Sequence, residues 1–190
     1  MDNLDVLPLA AAGFERRLVA VTPDDLDRTT PCDGWTVRDL LTHVIAGTTM
    51  SAAVLRGASR DEAVAIVEAT VLDEADLVAQ FRAVNAEQTA AFADPASLER
   101  IVAHPAMDMP GAQLAGFRVG DLTVHTWDLA RAIGADEQLD DDAVAVVWEN
   151  IQPMLPMIGA VGVFGEGPSG TVADDAPLQA RLLDAMGRRP

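Results

Sequence analysis

The chain has no lysine and no tyrosine, a single cysteine, and aromatic side chains at only 4% of its 190 residues. Each shortage closes off a class of explanation. Cys32 alone cannot close an internal disulfide, so an oxidising compartment would add nothing to stability. With 13 arginines and no lysine against 30 acidic residues, the formal charge is -17. That charge repels a phosphate backbone and no basic stripe interrupts it, so no nucleic acid is expected as a partner. The acidity by itself does no more than favour solubility. A long hydrophobic run is missing too: the longest uncharged stretch, Leu40–Leu55, is too short and too rich in Thr, Ser and His for a membrane span. Asp2 and Asp5 stand where a secretory leader would carry basic residues. The expected location is therefore cytoplasmic, with no membrane partner.

What is present points to packed helices. Apolar residues make up 49% of the chain with few aromatics among them, so the core must be built from Ala, Val, Leu, Ile and Met, which suits an all-α fold. A chain of 190 residues supports one sizeable core, and no repeat, low-complexity tract or linker divides it; one domain over residues 1–190 is expected. The eleven prolines leave two long windows free, Cys32–Asp94 and Gly111–Gln152, where helices can run.

Leu4, Leu7, Ala11, Phe14 and Leu18 predict a first helix over Asn3–Ala20, with Pro8 in its first turns. Thr29–Trp35 reads as a loop. Thr36 and Asp39 then cap a second helix to about Gly57, with Val37, Leu40, Leu41, Val44, Ile45, Ala52 and Leu55 at helical spacing. A third, Glu74–Ala93, carries Leu77, Phe81, Val84 and Gln88 on one stripe, and Leu98–Pro110 reads as an irregular loop or short hairpin. The fourth helix, Ala112–Ile133, is closed by Gly134. A fifth runs from Asp140, with three aspartates at its positive end, to about Met154. Pro153–Pro168 is rich in Gly and Pro, and Leu178–Met186 forms a short terminal helix.

On the fourth helix Asp121 and His125 lie on or beside the apolar stripe of Leu114, Phe117, Leu122 and Leu129. A carboxylate one turn before an imidazole matches the bite of a single metal ion, and His43 of the second helix could supply a third ligand from across the core. Three ligands of this type leave a position open for water or substrate. The spacing alone also fits a core histidine bonded to a backbone carbonyl. Asp128 could hold a ligating imidazole, complete the ligand set if Asp121 points elsewhere, or pair with Arg131 on the surface. Trp127 is expected to flank the site. Cys32, just before a helix amino terminus, reads as packing rather than a redox group, Trp35 as a staple for the second helix more than a stacking platform, and His104 as exposed or locally bonded. Gly116 and Gly120 would let another helix approach closely, and Met154, Met157 and the apolar run to Phe164 read as core or interface filler.

Two segments carry a family resemblance: Thr30-Pro31-Cys32-Asp33-Gly34-Trp35-Thr36-Val37-Arg38-Asp39-Leu40-Leu41-Thr42-His43, and Gly120-Asp121-Leu122-Thr123-Val124-His125-Thr126-Trp127-Asp128-Leu129-Ala130-Arg131-Ala132. They resemble the metal-binding domain of mycothiol-dependent maleylpyruvate isomerases, within the DinB-like superfamily, in a single-domain actinobacterial branch that Asp174–Leu183 also resembles. The resemblance implies a DinB-like four-helix bundle with an additional C-terminal helix, holding a divalent metal on His43, Asp121 and His125. Zinc is the metal it implies, with nickel or another transition metal as alternatives, and mycothiol is the implied small-molecule thiol. The isomerase has Glu at the position of Asp121 and a further C-terminal domain at its active site, so maleylpyruvate is not carried over as substrate. The implied activity is a thiol-dependent transferase or isomerase-like reaction on a small electrophile. A non-enzymatic, metal-containing sensor, carrier or stress protein is the alternative, and a homodimer is open.

Overall fold

The computed structural model describes residues 1–157 and 167–190, with only the backbone described at 156 and 157. Helix α1 (Asn3–Leu18) starts where Asp2 accepts from the amides of Leu4 and Asp5 while the Asp5 carboxylate accepts from the Asp2 amide. This reciprocal cap satisfies amides that have no carbonyl partner within the helix. The helix tolerates Pro8 and stops at Leu18, short of the expected Ala20. Helix α2 (Val37–Leu55) begins with the same device, Thr36 and Asp39 capping each other.

Helix α3 (Arg60–Ala69) was not expected from the apolar pattern, because only Ala63 of it is buried while Val64 and Val67 stay exposed. Its signal is the cap: Ser59 accepts from the Glu62 amide and Glu62 accepts from Ser59. Helix α4 (Leu77–Phe92), capped by Asp76, and the short α5 (Pro95–Glu99) follow. Of the two readings for the next segment the hairpin is correct: β1 (Ile101–Ala103) pairs antiparallel with β2 (Asp108–Pro110), Val102 opposite Met109, both buried. Helix α6 (Gly111–Ile133) ends at Gly134, whose φ of +72° is the left-handed conformation that only glycine adopts cheaply. Helix α7 (Asp141–Ile151), capped by Asp140, passes into a 3-10 turn over Gln152–Met157, and α8 (Leu178–Ala185) comes last.

Four helices make the bundle. α1 packs on α6 and α4, and α2 packs on α4 and α6, so the four close a ring around one contiguous apolar cluster. Phe14 of α1 meets Phe81 of α4 at its centre, ring centroids 5.2 Å apart. Leu40 and Leu41 of α2 and Leu114, Leu122 and Leu129 of α6 are buried there too. Each such side chain contributes about 1.5–3 kcal/mol of apolar burial. α7 lies on α1 and α6, α8 on α7, and α3 on the outside of α2. The fold is all-α with one small hairpin, as expected. Gly116 serves the close approach expected of it: a Cβ there would meet Asn3 and Asn150, which hydrogen-bond at 2.8 Å across the α1–α7 contact. Met154 packs against the core; the apolar run from 158 to Phe164 lies outside the described residues. Among the described residues no helix is long and apolar enough to cross a membrane.

Candidate metal centre

Because α2 and α6 are neighbours in the ring, His43 and the Asp121–His125 pair meet. His43 Nε2 lies 3.0 Å from Asp121 Oδ1, and His125 Nε2 lies 3.4 Å from the same oxygen. One ligand atom from each of the three falls within 4.8 Å of the others, and the two imidazoles meet edge to face with centroids 5.0 Å apart. Tetrahedral zinc with ligands at about 2.0–2.1 Å has ligand-to-ligand edges of about 3.3 Å, so the observed spacings and the two-imidazole, one-carboxylate donor set fit such an ion. The His43, Asp121 and His125 side chains are 41%, 21% and 10% exposed, so the trio opens to solvent on the His43 side and is walled in behind His125.

Each carboxylate is held from behind. Arg118, one turn before Asp121 on the same face of α6, donates from Nη1 to Asp121 Oδ2 at 2.8 Å, which leaves Oδ1 to the histidines. Arg118 is itself buried and fixed by Gln88 Oε1 at 3.0 Å and Thr48 Oγ1 at 2.9 Å. Its guanidinium fits because residue 47 of α2 is glycine: a Cβ there would lie 2.7 Å from Arg118 Nη1. On the other side, Asp128 Oδ2 accepts from His125 Nδ1 at 2.9 Å, which turns Nε2 toward Asp121. Asp128 is fully buried and also takes Arg188 Nε and Nη2 at 3.0 and 2.6 Å and the Cys32 thiol at 3.3 Å.

The charges follow from this packing. Burial alone would raise the Asp121 pKa, but Arg118, His43 and His125 outweigh it and hold the carboxyl well below its ordinary 3.8. Burial would likewise push His125 down, and Asp121, Asp128 and Cys32 together hold it well above 6.5. Without a cation the trio is thus a carboxylate facing an imidazolium, a pair that a metal can replace by displacing one proton.

The structure brings His43, Asp121 and His125 together as expected. Asp128 stands behind His125 rather than beside Asp121, and its surface pairing with Arg131 is incorrect: Arg131 pairs with Glu137 at 2.7 Å and lies over the Trp127 ring. Trp127 is buried in that contact instead of lining the trio. Trp35 does line it, its ring 5.0 Å from His43 and stacked 5.9 Å from His125. His104 is locally bonded, its Nδ1 accepting from the Ala106 amide at 3.1 Å. Arg118 was legible in principle, since 118, 121, 125 and 128 share one helical face. Cys32 and Arg188 reach His125 and Asp128 only through tertiary structure, Arg188 from beyond α8.

Three comparisons show what the chain is similar to. An uncharacterized protein of Mycobacterium tuberculosis, found in strains CDC 1551 / Oshkosh and H37Rv, is 28% identical over 181 residues, covering 93% of this chain and 89% of the relative. Crystal structures of the mycothiol-dependent maleylpyruvate isomerase share the fold: 17% identity at a TM-score of 0.61, and for a histidine-to-alanine mutant 14% at 0.63. Each comparison covers 78% of this chain and 68% of the isomerase. The model of the mycothiol maleylpyruvate isomerase N-terminal domain matches residues 7–130, which include every member of the trio, and this chain belongs to that family.

Proposed function

We propose that this chain holds one divalent cation on His43 Nε2, Asp121 Oδ1 and His125 Nε2, zinc first and nickel or another transition metal next, and uses it for thiol-dependent chemistry on a small electrophile. The observation that carries this reading is the convergence of two imidazole Nε2 atoms from different helices on one carboxylate oxygen. Three protein ligands leave room for a thiol or water, the arrangement of catalytic rather than structural sites. A bound divalent cation lowers the pKa of a coordinated thiol or water enough to supply a nucleophile at neutral pH.

The chain's own residues do the rest. Arg118 keeps Asp121 ionised and presents a single oxygen; Asp128 keeps a proton on His125 Nδ1, so that Nε2 offers its lone pair; Trp35 shields one side of both rings. The thiol that the family name supports is mycothiol, and the reaction class is transfer of the thiol to an electrophile or a thiol-assisted isomerisation. Such a thiol is kept reduced in the cytoplasm, where we place the protein. We read residues 1–190 as one domain, since the buried cluster joins α1, α6, α7 and α8.

Metal analysis of the purified protein, beside His43→Ala, Asp121→Ala and His125→Ala, tests the centre. One equivalent in the parent, lost from each variant, is the expected result; a metal-free parent, or variants that keep the ion, would overturn it. Turnover of mycothiol with a panel of electrophiles, abolished by chelation, is expected of an enzyme. Stoichiometric metal with no turnover would move the reading to a sensor, carrier or stress protein.

A further inference from the structure

We infer that Arg188 is a positioning residue for this centre: its guanidinium clamps Asp128, and Asp128 in turn fixes the His125 ring with Nε2 facing the cation position. The inference rests on the metal reading above and extends it to a residue outside both family-like segments. Asp128 is fully buried, and its two oxygens carry four contacts. Oδ1 accepts from Arg188 Nε at 3.0 Å; Oδ2 accepts from Arg188 Nη2 at 2.6 Å, His125 Nδ1 at 2.9 Å and Cys32 Sγ at 3.3 Å.

The two-pronged contact is what matters. A carboxylate on a single hydrogen bond rotates easily about its last torsion, whereas one held on both oxygens by a planar fork cannot, and the imidazole bonded to it inherits that orientation. Arg188 is held in its turn: it is buried, and its Nη1 donates to the Met186 carbonyl at 2.8 Å in the turn that ends α8. The next residue, Arg189, pairs with Asp184 at 3.6 Å. Removing the clamp would also take from a buried carboxylate the cation held on both its oxygens, which favours a rearranged Asp128.

Zinc dissociation constants, measured by competition with a chromophoric chelator, test this on the parent, Arg188→Gln, Asp128→Asn and the double variant. Asp128→Asn is expected to weaken binding roughly 10- to 100-fold, the usual cost of losing a partner of a ligating histidine, and Arg188→Gln measurably but by no more than that. Because Arg188 acts through Asp128, the double variant should bind no more weakly than the poorer single variant; a purely structural tie would give losses that multiply. Arg188→Lys keeps the charge without the fork and should recover only part of the affinity, and it carries the test should Arg188→Gln not fold. Val102→Ala empties a buried position of the β1–β2 hairpin, which carries neither Asp128 nor Arg188, and should leave zinc affinity at the parental value.

Parental affinity in Arg188→Gln or Arg188→Lys, multiplicative losses in the double variant, or an equal loss in Val102→Ala would overturn the inference. His125→Ala separates the two levels. If it keeps the parental zinc affinity, the metal reading itself falls; if it loses zinc while Arg188→Gln does not, only the clamp falls.

Discussion

Gly47→Ala sets helix propensity against tertiary fit, and the structure decides the sign. Residue 47 lies inside α2, where alanine is favoured over glycine by about 0.5–1 kcal/mol. The new Cβ, however, would sit 2.7 Å from Arg118 Nη1 and 3.4 Å from its Cζ. A flexible surface arginine would swing aside. Arg118 is buried, and its three donor nitrogens are committed to Gln88, Thr48 and Asp121. The displaced Nη1 is the one bonded to Asp121 Oδ2, a charge-assisted hydrogen bond of about 1.5–3 kcal/mol. The balance is a net loss of about 1 kcal/mol, which for a chain of this length lowers Tm by roughly 2–4 °C. Thermal unfolding of the metal-free protein followed by circular dichroism measures it. In an Arg118→Met background the same substitution should be neutral or stabilising, because the atom it displaces is gone. A rise in Tm for Gly47→Ala in the natural background would refute the reasoning, since it would mean that Arg118 has slack and does not fix Asp121.

Three other outcomes are expected. Zinc must displace a proton from His125, whose pKa in the metal-free protein is held above 6.5, so zinc affinity should climb by about tenfold per pH unit through the neutral range until that pKa is passed. The metal-free protein should show the opposite trend: a raised folded-state pKa gives stability that is complete below about pH 6.5 and lost as pH rises through the folded value, so its Tm should fall on the alkaline side, and a flat Tm there would contradict the His125 environment. Gly111→Ala places a Cβ 2.1 Å from the Ser97 carbonyl oxygen, a backbone atom that cannot swing away. The start of α6 must then shift off α5, at a cost of about 3 kcal/mol, and a Tm within a degree of the parent's would show that this junction is looser than described.

How far the sequence alone could reach depends on the range of the interaction. Caps act over three residues, so Thr36 with Asp39, Asp140, and Gly134 announced their helix boundaries, and the structure keeps them. Stripes act over a few turns, so the apolar faces of α2, α4 and α6 and the shared face of Asp121 and His125 were legible too. Helix α3 escaped because it buries only Ala63 and has no stripe to read. That His43 could join the α6 pair was open from its place on the second helix, and the family resemblance implied it. Its 3.0 Å approach to Asp121 exists because α2 and α6 are adjacent in the ring. Asp128 shows the limit most clearly. Its neighbour in sequence, Arg131, lies one turn away on α6 and is the obvious partner, yet the cation that it binds is Arg188, 60 residues on. Local periodicity decides which side chains share a helix face. Only the folding of distant chain into contact decides which buried charge is neutralised by which other, because that choice depends on what remains when water has been excluded.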